Sequence, residues 1–417
     1  MSRSSSAKQH PVKVSKERLD AITEILSLDL GLIIRGEVDN YLTSLLQFVL
    51  HLIMNTEVME KAGKRYERNA ERGCVRWASQ ASSGYILGQK VPFQKPRLRT
   101  PDLKAEVPLD TAELLKDKEA LNERTAQKLL MGISTRRLAD TIDGLLQEHG
   151  VGRQSISRRG IEAMTARLEE FQNRDFENLD LVAIFIDGIH IGEQVHIVAL
   201  GVDTAGKKHV LAMQPGETED HVVCKALLAN LIDRGLSEIG GYLFIIDGSK
   251  ALRKAIRQVF QDRVAVQRCI EHKKRNLEKY VPKSMQQSVR HKMQAAFAEE
   301  TLAEAESKFH QLREELSMSR QSAAKSLLEG LGELLTLHRL GVTGPLRKSL
   351  CTTNCIESIF SSARYYTRNV KRWRKEEQAE RWLAAGLLEA EKRLKPVHGY
   401  TRLKNLKQKL LKLAKVK

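Results

Sequence analysis

The sequence predicts an α/β protein whose mixed sheet is flanked by mostly helical segments. Three apolar segments with strand character follow one another in the middle of the chain, namely LVAIFID, VHIVALGVD and KHVLAMQ. Strands at 242–247 and 265–269 then alternate with helices predicted over 221–234 and 250–260. Neighbouring strands followed by strand–helix alternation are typical of a mixed sheet. The block 283–329 contains neither Gly nor Pro, which predicts an all-helical segment.

The composition indicates a globular protein that binds a polyanion. The 417 residues include 69 Lys and Arg against 52 Asp and Glu, so the net charge is +17, which favours nucleic acid as the partner. The composition as a whole, with 41% hydrophobic and 29% charged residues and only five Cys, excludes collagen, disulfide scaffolds and membrane channels. The longest apolar stretch, at 45–54, is too short to cross a bilayer. Five scattered cysteines and a polar, basic start without a secretory signal predict a cytoplasmic location.

The N-terminal part is predicted to be helical and to carry a basic arm. Residues 1–16 are Ser-rich and basic without periodicity, which predicts disorder. Residues 17–110 show helical spacing and then an extended segment, KVPFQKPRLR, whose prolines and cations favour an edge strand or arm over a core strand. A plain solvated linker is the alternative interpretation of this arm.

Residues 111–175 show the pattern of a helix-turn-helix. A helix is predicted to end near Gly132, and Ser134 can cap a second helix with an apolar stripe. After a Gly-containing turn, Ser155 or Ser157 can open a third helix that would enter the major groove of DNA. A generic three-helix bundle is the alternative. On the helix-turn-helix hypothesis, five arginines contact DNA: Arg136, Arg137, Arg153, Arg158 and Arg159.

Two of the predicted strands end in the same dipeptide, Asp-Gly, at Asp187 and Asp247. Ligands of open α/β sheets bind beyond the carboxyl ends of the strands, and two carboxylates on adjacent strands there would suit a divalent cation. A single Asp-Gly is well explained as a turn after a strand. The repetition of the phrase after two fully apolar strands favours a functional pair.

Glu357 is the best candidate for a third acid. It lies on a helix that Thr352 or Thr353 can cap, and helical spacing predicts which side of this helix is buried. The residues predicted for the buried side are Ile356, Ile359, Phe360 and Ala363. Another side carries polar and charged residues at the same spacing: Glu357, Ser361, Arg364 and Arg368. A solvated helix face is the alternative interpretation of this second stripe.

Four phrases of the sequence resemble those of one family. They are IDG at 186–188, IIDGSKALRKAI at 245–256, QRCIEHKKRNL at 267–277 and TTNCIES at 352–358. The three acids within them resemble the Asp-Asp-Glu triad of transposases with a ribonuclease-H-like core. The nearest match is the Mutator-type group of bacterial insertion-sequence transposases, and the resemblance covers roughly residues 65–405.

The resemblance implies a fold and an order of domains. A ribonuclease-H-like catalytic core would occupy 176–282 and 346–395, interrupted by an all-helical insertion at 283–345. A basic helical tail is predicted to follow at 396–417. It is the end of a strongly basic stretch, because the last 55 residues carry 17 Lys or Arg and 5 Glu. This tail is predicted to be a DNA-binding or dimerising helix, with a frayed terminus or a membrane-surface helix as alternatives.

The resemblance also implies the chemistry. Asp187, Asp247 and Glu357 would hold two Mg²⁺ ions, or Mn²⁺ in their place, with Asp187 bridging the two ions. The enzyme would bind double-stranded DNA at the inverted-repeat ends of its own insertion sequence, cut it and join the 3′-hydroxyl to target DNA. It would work as a homodimer or larger assembly, associated with the nucleoid and not with a membrane. A catalytically silent DNA-binding regulator and a structure-specific nuclease of the same fold are the alternatives.

Further residues are assigned to the surroundings of the triad and to DNA. Four would support the metal ligands or contact phosphate: Cys269, His272, Asn354 and Arg364. A zinc site that adds His221 and Cys224 to the Cys-x-x-His pair is a disfavoured alternative, since both lie outside the family pattern. Two basic clusters are predicted to contact DNA, with a tryptophan that could stack on an unpaired base. Their residues are Lys273, Lys274, Arg275, Arg368, Lys371, Arg372, Trp373 and Arg374. A solvated face with a buried tryptophan is the alternative interpretation.

Overall fold

The computed structural model divides the chain into two compact units. The first is formed by residues 1–125 and 139–156, and the second by residues 126–138 and 157–417. The structure describes residues 38–64, 73–86, 89–116, 119–133, 153–373 and 375–416.

The first unit combines helices with a three-stranded antiparallel sheet. Its elements are α1 (Val38–Ala62), β1 (Val75–Ile86), β2 (Gln89–Arg99), β3 (Glu106–Val107), α2 (Asp110–Leu114) and the start of α3 (Glu119–Leu130). Met54 and Val58 of α1 pack against Leu98 of β2 and Leu109 in one small hydrophobic core. The predicted N-terminal helical spacing is confirmed for α1, and residues 17–37 lie outside the described part of the chain.

The basic arm is a strand of a long hairpin. β2 pairs with β1 from Gln89 to Arg99, and it pairs with β3 only at its last two residues. The extended conformation is thus confirmed, and the solvated linker is not found. Pro92 and Pro96 lie where β2 has one neighbouring strand, which is where a strand tolerates prolines. β1 itself was not predicted, because its sequence, RWASQASSG, lacks an apolar alternation.

A carboxylate of α1 satisfies the first turn of α2. Glu57 accepts hydrogen bonds from the Asp110 amide at 2.5 Å, from the Thr111 amide at 3.1 Å and from the Thr111 hydroxyl at 2.6 Å. Lys61 Nζ lies 2.9 Å from Glu57 Oε1. Burial acts to raise the pKa of Glu57, but the hydrogen bonds outweigh burial and lower this pKa to about 2. Glu57 therefore supplies the cap that Leu109, the residue before α2, lacks.

We expect Glu57→Gln to destabilise the first unit by about 2 kcal/mol, because a neutral amide replaces the charged acceptor of three hydrogen bonds. The contribution of Glu57 is present above its ordinary pKa near 4.5 and is lost as the pH falls toward 2. Hydrogen exchange of the Asp110 and Thr111 amides measures this loss. Glu60→Gln, at an exposed position of the same helix, is the matched control. Equal protection of the two amides in both variants would contradict the assignment.

The second unit contains a five-stranded sheet with helices around it. The strands are β4 (Leu181–Ile191), β5 (Gln194–Asp203), β6 (Lys208–Pro215), β7 (Leu243–Ile246) and β8 (Ala265–Arg268). The helices up to the end of the sheet are the end of α3, α4 (Arg153–Gln172), α5 (His221–Asp233), α6 (Lys250–Phe260) and α7 (Ile270–Glu278). The later helices are α8 (Lys283–Ala298), α9 (Leu302–Ser319), α10 (Gln321–Leu328), α11 (Leu331–Leu334), α12 (Thr336–Arg339), α13 (Gly344–Leu350), α14 (Asn354–Thr367), α15 (Glu376–Glu391) and α16 (Leu403–Val416).

The sheet is mixed, as predicted. Its strands lie in the order β6–β5–β4–β7–β8. The pairs β4–β5 and β5–β6 are antiparallel, whereas β4–β7 and β7–β8 are parallel. Each strand and helix predicted between residues 181 and 269 is present, and the helix predicted over 250–260 has those bounds. The α/β class is therefore confirmed.

Different helices cover the two faces of this sheet. α5 and α6 pack on the face that carries Ile184 and Ile186 of β4. Because side chains alternate along a strand, Asp187 points to the other face. α14 packs on β4 and α15 packs on α14 and β6, with Gly386 of α15 close to the carbonyl oxygen of Ala363. The helix that carries Glu357 is thus held over β4, and its predicted buried side chains are all buried: Ile356, Ile359, Phe360 and Ala363.

The predicted all-helical block is confirmed, and it has a hydrophobic core of its own. Side chains of α8, α9 and α10 form this core together with Ile270 and Leu277 of α7. Phe297 and Phe309 meet edge to face within it, with ring centroids 4.9 Å apart. The helical block is therefore anchored to the sheet through α7, which directly follows β8.

The basic tail is a docked helix and not a frayed end. Leu403, Leu406 and Leu410 of α16 are at most 3% exposed. Lys407 donates to the carbonyl oxygens of Leu181 and Gly240 at 2.7 and 2.8 Å. The apolar side of α16 is therefore used within the protein, which removes the basis of the membrane-surface alternative. Among the described residues, no helix is long and apolar enough to cross a bilayer.

The helix-turn-helix prediction lies only partly within the described residues. α3 ends at Leu130 and Gly132 has a φ of +90°, which agrees with the predicted end of the first helix. The third helix is α4, which begins at Arg153, slightly before the predicted serines. The second helix and the turn fall within 134–152, outside the described residues. The helix-turn-helix itself stays a prediction.

Candidate active site

The parallel pairing of β4 with β7 brings two acids together. Ile186 of β4 is the register partner of Ile246 of β7, so Asp187 and Asp247 follow the same pair on adjacent strands. The predicted juxtaposition of these two acids is confirmed. One detail of the prediction is wrong, because β4 does not end at Asp187. It continues to Ile191, paired with β5, since the apolar pattern of β4 resumes after the Asp-Gly.

Three side chains form a cluster on this edge of the sheet. One ligand atom each of Asp187, His272 and Glu357 lies within 4.8 Å of the others. Nowhere else in the described ranges do three His, Cys, Asp or Glu side chains come this close. Asp247 does not belong to this group, and its Oδ1 accepts a hydrogen bond from the Ser249 amide at 2.9 Å. His272, which sequence reasoning placed in the surroundings, is therefore a central member.

The alternative zinc set does not form in the described part of the chain. His221 and Cys224 lie on α5, and they do not join Cys269 and His272 in a group at ligand distance. Cys224 is buried, its thiol donates to the carbonyl oxygen of Thr218 at 3.2 Å, and burial raises its pKa to about 12.

The cluster contains a half-buried carboxyl, Asp187, that is costly to ionise. Burial raises the pKa of Asp187 to about 6, and the nearby carboxylates of Asp247 and Glu357 add to the rise. The Gly188 amide, which donates to Asp187 Oδ1 at 2.8 Å, and the His272 imidazole act in the opposite direction. Asp187 is therefore a half-buried carboxyl beside other acids, and an added positive charge would stabilise its ionised form.

His272 is held as a cation by its neighbours. Its hydrogen bond with Cys269 raises the pKa of the imidazole to about 9, and the carboxylates of Asp187 and Asp247 contribute further. Burial acts to raise the pKa of the Cys269 thiol, but hydrogen bonding, chiefly by His272, outweighs burial and leaves this pKa below its usual value. The Cys-x-x-His pair is thus one hydrogen-bonded unit at the start of α7.

Thr353 connects this unit to Glu357. Its hydroxyl lies 3.1 Å from Glu357 Oε1 and 3.4 Å from His272 Nδ1, and its amide donates to Cys269 Sγ at 3.4 Å. A carboxylate can only accept hydrogen bonds, so the Thr353 hydroxyl donates its single proton to Glu357. The same hydroxyl oxygen then accepts a hydrogen bond from Nδ1 of His272. Thr353 is fully buried and makes no side-chain cap to α14. Sequence reasoning treated Thr353 as a possible cap and missed this role.

Two lysines predicted to contact DNA point into the protein. Lys273 is 1% exposed, and its ammonium donates to the carbonyl oxygens of Ser326 and Glu329 at the end of α10. Lys274 is 5% exposed and forms an ion pair with Glu271 at 2.9 Å. The prediction of DNA contacts is therefore wrong for these two residues. Both lysines lie on the side of α7 that packs against the helical block. The run of basic residues in the sequence does not indicate which of its members are buried.

The other residues predicted to contact DNA have different surroundings. Five are exposed: Arg275, Arg364, Arg368, Lys371 and Arg372. Asn354 is also exposed, at the first position of α14. Arg158 is exposed and lies 3.7 Å from Glu162, whereas Arg159 is 8% exposed. The half-buried Trp373 lies against Gly192 in the turn between β4 and β5. Arg136, Arg137, Arg374 and the side chain of Arg153 lie outside the described residues.

The fold and the cluster together define a candidate divalent-metal site at the edge of a mixed α/β sheet. A comparison of the sequence with known protein families then identifies the family. The family model "Transposase, Mutator family" matches residues 21–395, so the chain belongs to the Mutator family of transposases. The resemblance noted from the sequence is thereby confirmed.

Individual relatives match different shares of the chain. The transposase for insertion sequence element ISRM5 of Rhizobium meliloti is 23% identical over 374 residues, which are 88% of this chain and 92% of that protein. The transposase for insertion sequence element IS406 of Burkholderia multivorans is 26% identical over 197 residues, or 45% of this chain. A probable transposase of Corynebacterium diphtheriae is 27% identical over 217 residues, or 49% of this chain. The matched part spans about half of the IS406 protein (48%) and 61% of the Corynebacterium protein.

Proposed function

We propose that this protein is a metal-dependent DNA transposase that acts on the ends of its own insertion sequence. It would bind the inverted repeats, cut the DNA and join the 3′-hydroxyl to target DNA. The observation that carries the proposal is the cluster of Asp187, His272 and Glu357 beside Asp247, in a chain of the Mutator family of transposases. Because two ends must be held together for joining, we also propose a homodimer or larger assembly.

The strand arrangement supports a ribonuclease-H-like core as part of this proposal. An antiparallel series β6–β5–β4 is extended by two parallel strands, β7 and β8. The first acid lies on β4, the second directly follows β7, and the third lies on α14, which packs on β4. The helical block between β8 and α14 is the proposed insertion.

The donor set fits divalent cations of the hard type. Asp187, Asp247 and Glu357 offer carboxylate oxygens, which are the ligands that Mg²⁺ prefers, and Mn²⁺ accepts the same oxygens. Burial raises the pKa of Asp187, so the added charge of a bound cation would stabilise its half-buried carboxylate. We propose that these three acids hold two Mg²⁺ ions. When bound, the ions would supply the positive charge that stabilises the scissile phosphate during the displacement.

The chain's own residues would position the ligands and the DNA. Thr353 orients the carboxylate of Glu357 through its hydroxyl, and His272 in turn orients that hydroxyl. The exposed Arg364 lies on α14 beyond Glu357 and the exposed Arg368 directly follows this helix, and both would hold phosphates of the DNA strand on one side of the cut. No covalent protein intermediate is part of this scheme.

The experiment that tests this function uses a labelled duplex from the flanks of the gene. The full-length protein is incubated with this duplex and with Mg²⁺ or Mn²⁺, and nicked and joined products are measured beside those of Asp247→Asn. Metal-dependent nicking and joining, both absent from the variant, would support the transposase. Cutting without joining would indicate a structure-specific nuclease. Binding of the duplex without cutting under either metal would indicate a regulator and overturn the proposal.

We expect Thr353→Val to raise the Mg²⁺ concentration needed for half-maximal cleavage by about tenfold, since losing a partner that orients a metal ligand typically costs roughly 10–100-fold. Thr353→Ser keeps the hydroxyl and is expected to restore nearly the wild-type requirement. Thr352→Val changes the neighbouring buried threonine, which has no hydrogen bond to Glu357, and serves as the control. If Thr353→Val shows an unchanged Mg²⁺ requirement, Thr353 does not position Glu357.

A further inference from the structure

Tyr365 is an exposed aromatic ring that is held in place by two neighbours. It is 50% exposed on α14, whereas the adjacent Tyr366 is 5% exposed. The two rings meet edge to face at 83°, with centroids 5.5 Å apart. The guanidinium of Arg368 lies over the Tyr365 ring, 4.1 Å from its centroid. Such a ring is fixed in orientation before any partner binds, which lowers the entropy cost of stacking on it.

This ring lies on the same helix as Glu357. Tyr365 follows Glu357 by eight residues, which is about 12 Å along a helix with a rise of about 1.5 Å per residue. Arg364 lies between them on the exposed side of α14, and Arg368 follows one turn later. A strand that enters the acid cluster and follows α14 would therefore pass Tyr365.

The surface around Tyr365 suits a polyanion. Residues 358–375 contain six Lys or Arg and no Asp or Glu. Of these cations, Arg364, Arg368, Lys371 and Arg372 are exposed. An aromatic ring among cations is the combination that binds single-stranded nucleic acid, in which the cations hold the backbone and the ring stacks on a base.

We infer that Tyr365 and Arg368 form a stacking site for an unpaired base of the DNA end. The inference rests on the proposed function, because it takes the scissile phosphate to lie at the acid cluster. With a rise of about 3.4 Å per nucleotide, the stacked base is three or four nucleotides from the cut. Bases inside a duplex have both faces covered by their neighbours, so the substrate of this site is DNA whose strands are locally separated next to the cleavage position.

The test measures binding of the full-length protein to DNA without metal, in EDTA. One probe is the duplex from the element's end, and the second is the same duplex with four mismatched pairs next to the cut. A 2-aminopurine is placed at each of the four positions in turn, because its fluorescence is quenched by stacking. We expect the wild type to bind the mismatched duplex about tenfold more tightly and to quench one position, three or four nucleotides from the cut.

Variants separate stacking from general effects. Tyr365→Ala is expected to lose both the tenfold preference and the quenching, whereas Tyr365→Phe keeps them. Tyr280→Ala removes a tyrosine of equal exposure, 49%, at the end of α7, and is expected to behave as the wild type. The inference is overturned if Tyr365→Ala keeps the preference, or if Tyr280→Ala loses it equally. If the wild type cuts DNA with metal but does not prefer the mismatched duplex, only this inference is refuted. If the wild type quenches 2-aminopurine but does not cut DNA with either metal, only the proposed function is refuted.

Discussion

Asp187→Asn is expected to reduce cleavage of the element's end by at least about a thousandfold while binding of the DNA end changes little. On the proposed mechanism, Asp187 would help to hold the metal ions, so its loss would remove charge stabilisation that is made in the transition state. Cleavage rates with saturating Mg²⁺ measure the first effect, and gel shifts in EDTA measure the second. Asp262→Asn, at an exposed acid of the same unit, is expected to cleave as the wild type.

The stability of the metal-free protein distinguishes this loss from unfolding. The pKa of Asp187 is about 6 in the folded protein and near 3.8 ordinarily, so folding takes up a proton between these values. The free energy of unfolding of the wild type therefore falls as the pH rises through this window. The Asp187→Asn protein would not show this fall, because its amide does not titrate. At pH 7 in EDTA, Asp187→Asn is expected to be at least as stable as the wild type. Retained cleavage would remove Asp187 from the site.

Lys273→Ala is expected to destabilise the second unit by about 3 kcal/mol without weakening DNA binding. The substitution empties the space of a fully buried side-chain stem and removes the donor to the Ser326 and Glu329 carbonyl oxygens. Urea unfolding at pH 7 measures the change in the free energy of unfolding. Arg275→Ala, two positions later on the exposed side of α7, is expected to change stability by less than about 0.5 kcal/mol.

The pH dependence of Lys273 gives a second measurement. Burial lowers the pKa of Lys273 to about 8, and the nearby charge of Arg268 adds to the effect. Between pH 8 and its ordinary value near 10.5 the unfolded chain binds more protons, so wild-type stability gains from this group as the pH rises. Lys273→Ala is expected to lack that gain. A variant as stable as the wild type, with weakened DNA binding, would restore Lys273 to the DNA surface.

The sheet and the acids were largely predictable from the sequence because their signals are local. Apolar runs such as LVAIFID form strands wherever both faces are covered, and a repeated Asp-Gly after two such runs marks one edge of the sheet. The helical spacing around Glu357 also sufficed to predict which side of α14 is buried. These features depend on the order of residues along a single segment.

Features that depend on contacts between distant segments could not be predicted. Lys273 and Arg275 stand in the same basic run, and only the packing of α7 on the helical block separates a buried lysine from an exposed arginine. Thr353 contacts Cys269 and His272, which lie more than 80 residues earlier in the sequence. The local sequence TTN therefore indicated the start of a helix but not the hydrogen bonds of Thr353 to these two residues. β1 carried no apolar pattern, because consecutive residues at 77–81 are exposed and both faces of the strand are solvated there.

The pairing of β4 with its two neighbours has a consequence for how copies of such a gene decay. The position of Asp187 is fixed by β4, which is hydrogen-bonded to β5 on one side and to β7 on the other. Successive side chains of this strand point to opposite faces of the sheet. Loss of one codon upstream in β4 would send a hydrophobic side chain to the acid edge and the aspartate into the opposite layer. Loss of a codon in the two-residue turn at 192–193 would leave Asp187 in place but shift β5 by one residue against β4, so that the side chains of β5 would change faces. Short in-frame deletions a few residues apart would therefore inactivate a copy in different ways, the first by displacing the acid and the second by reversing the neighbouring strand.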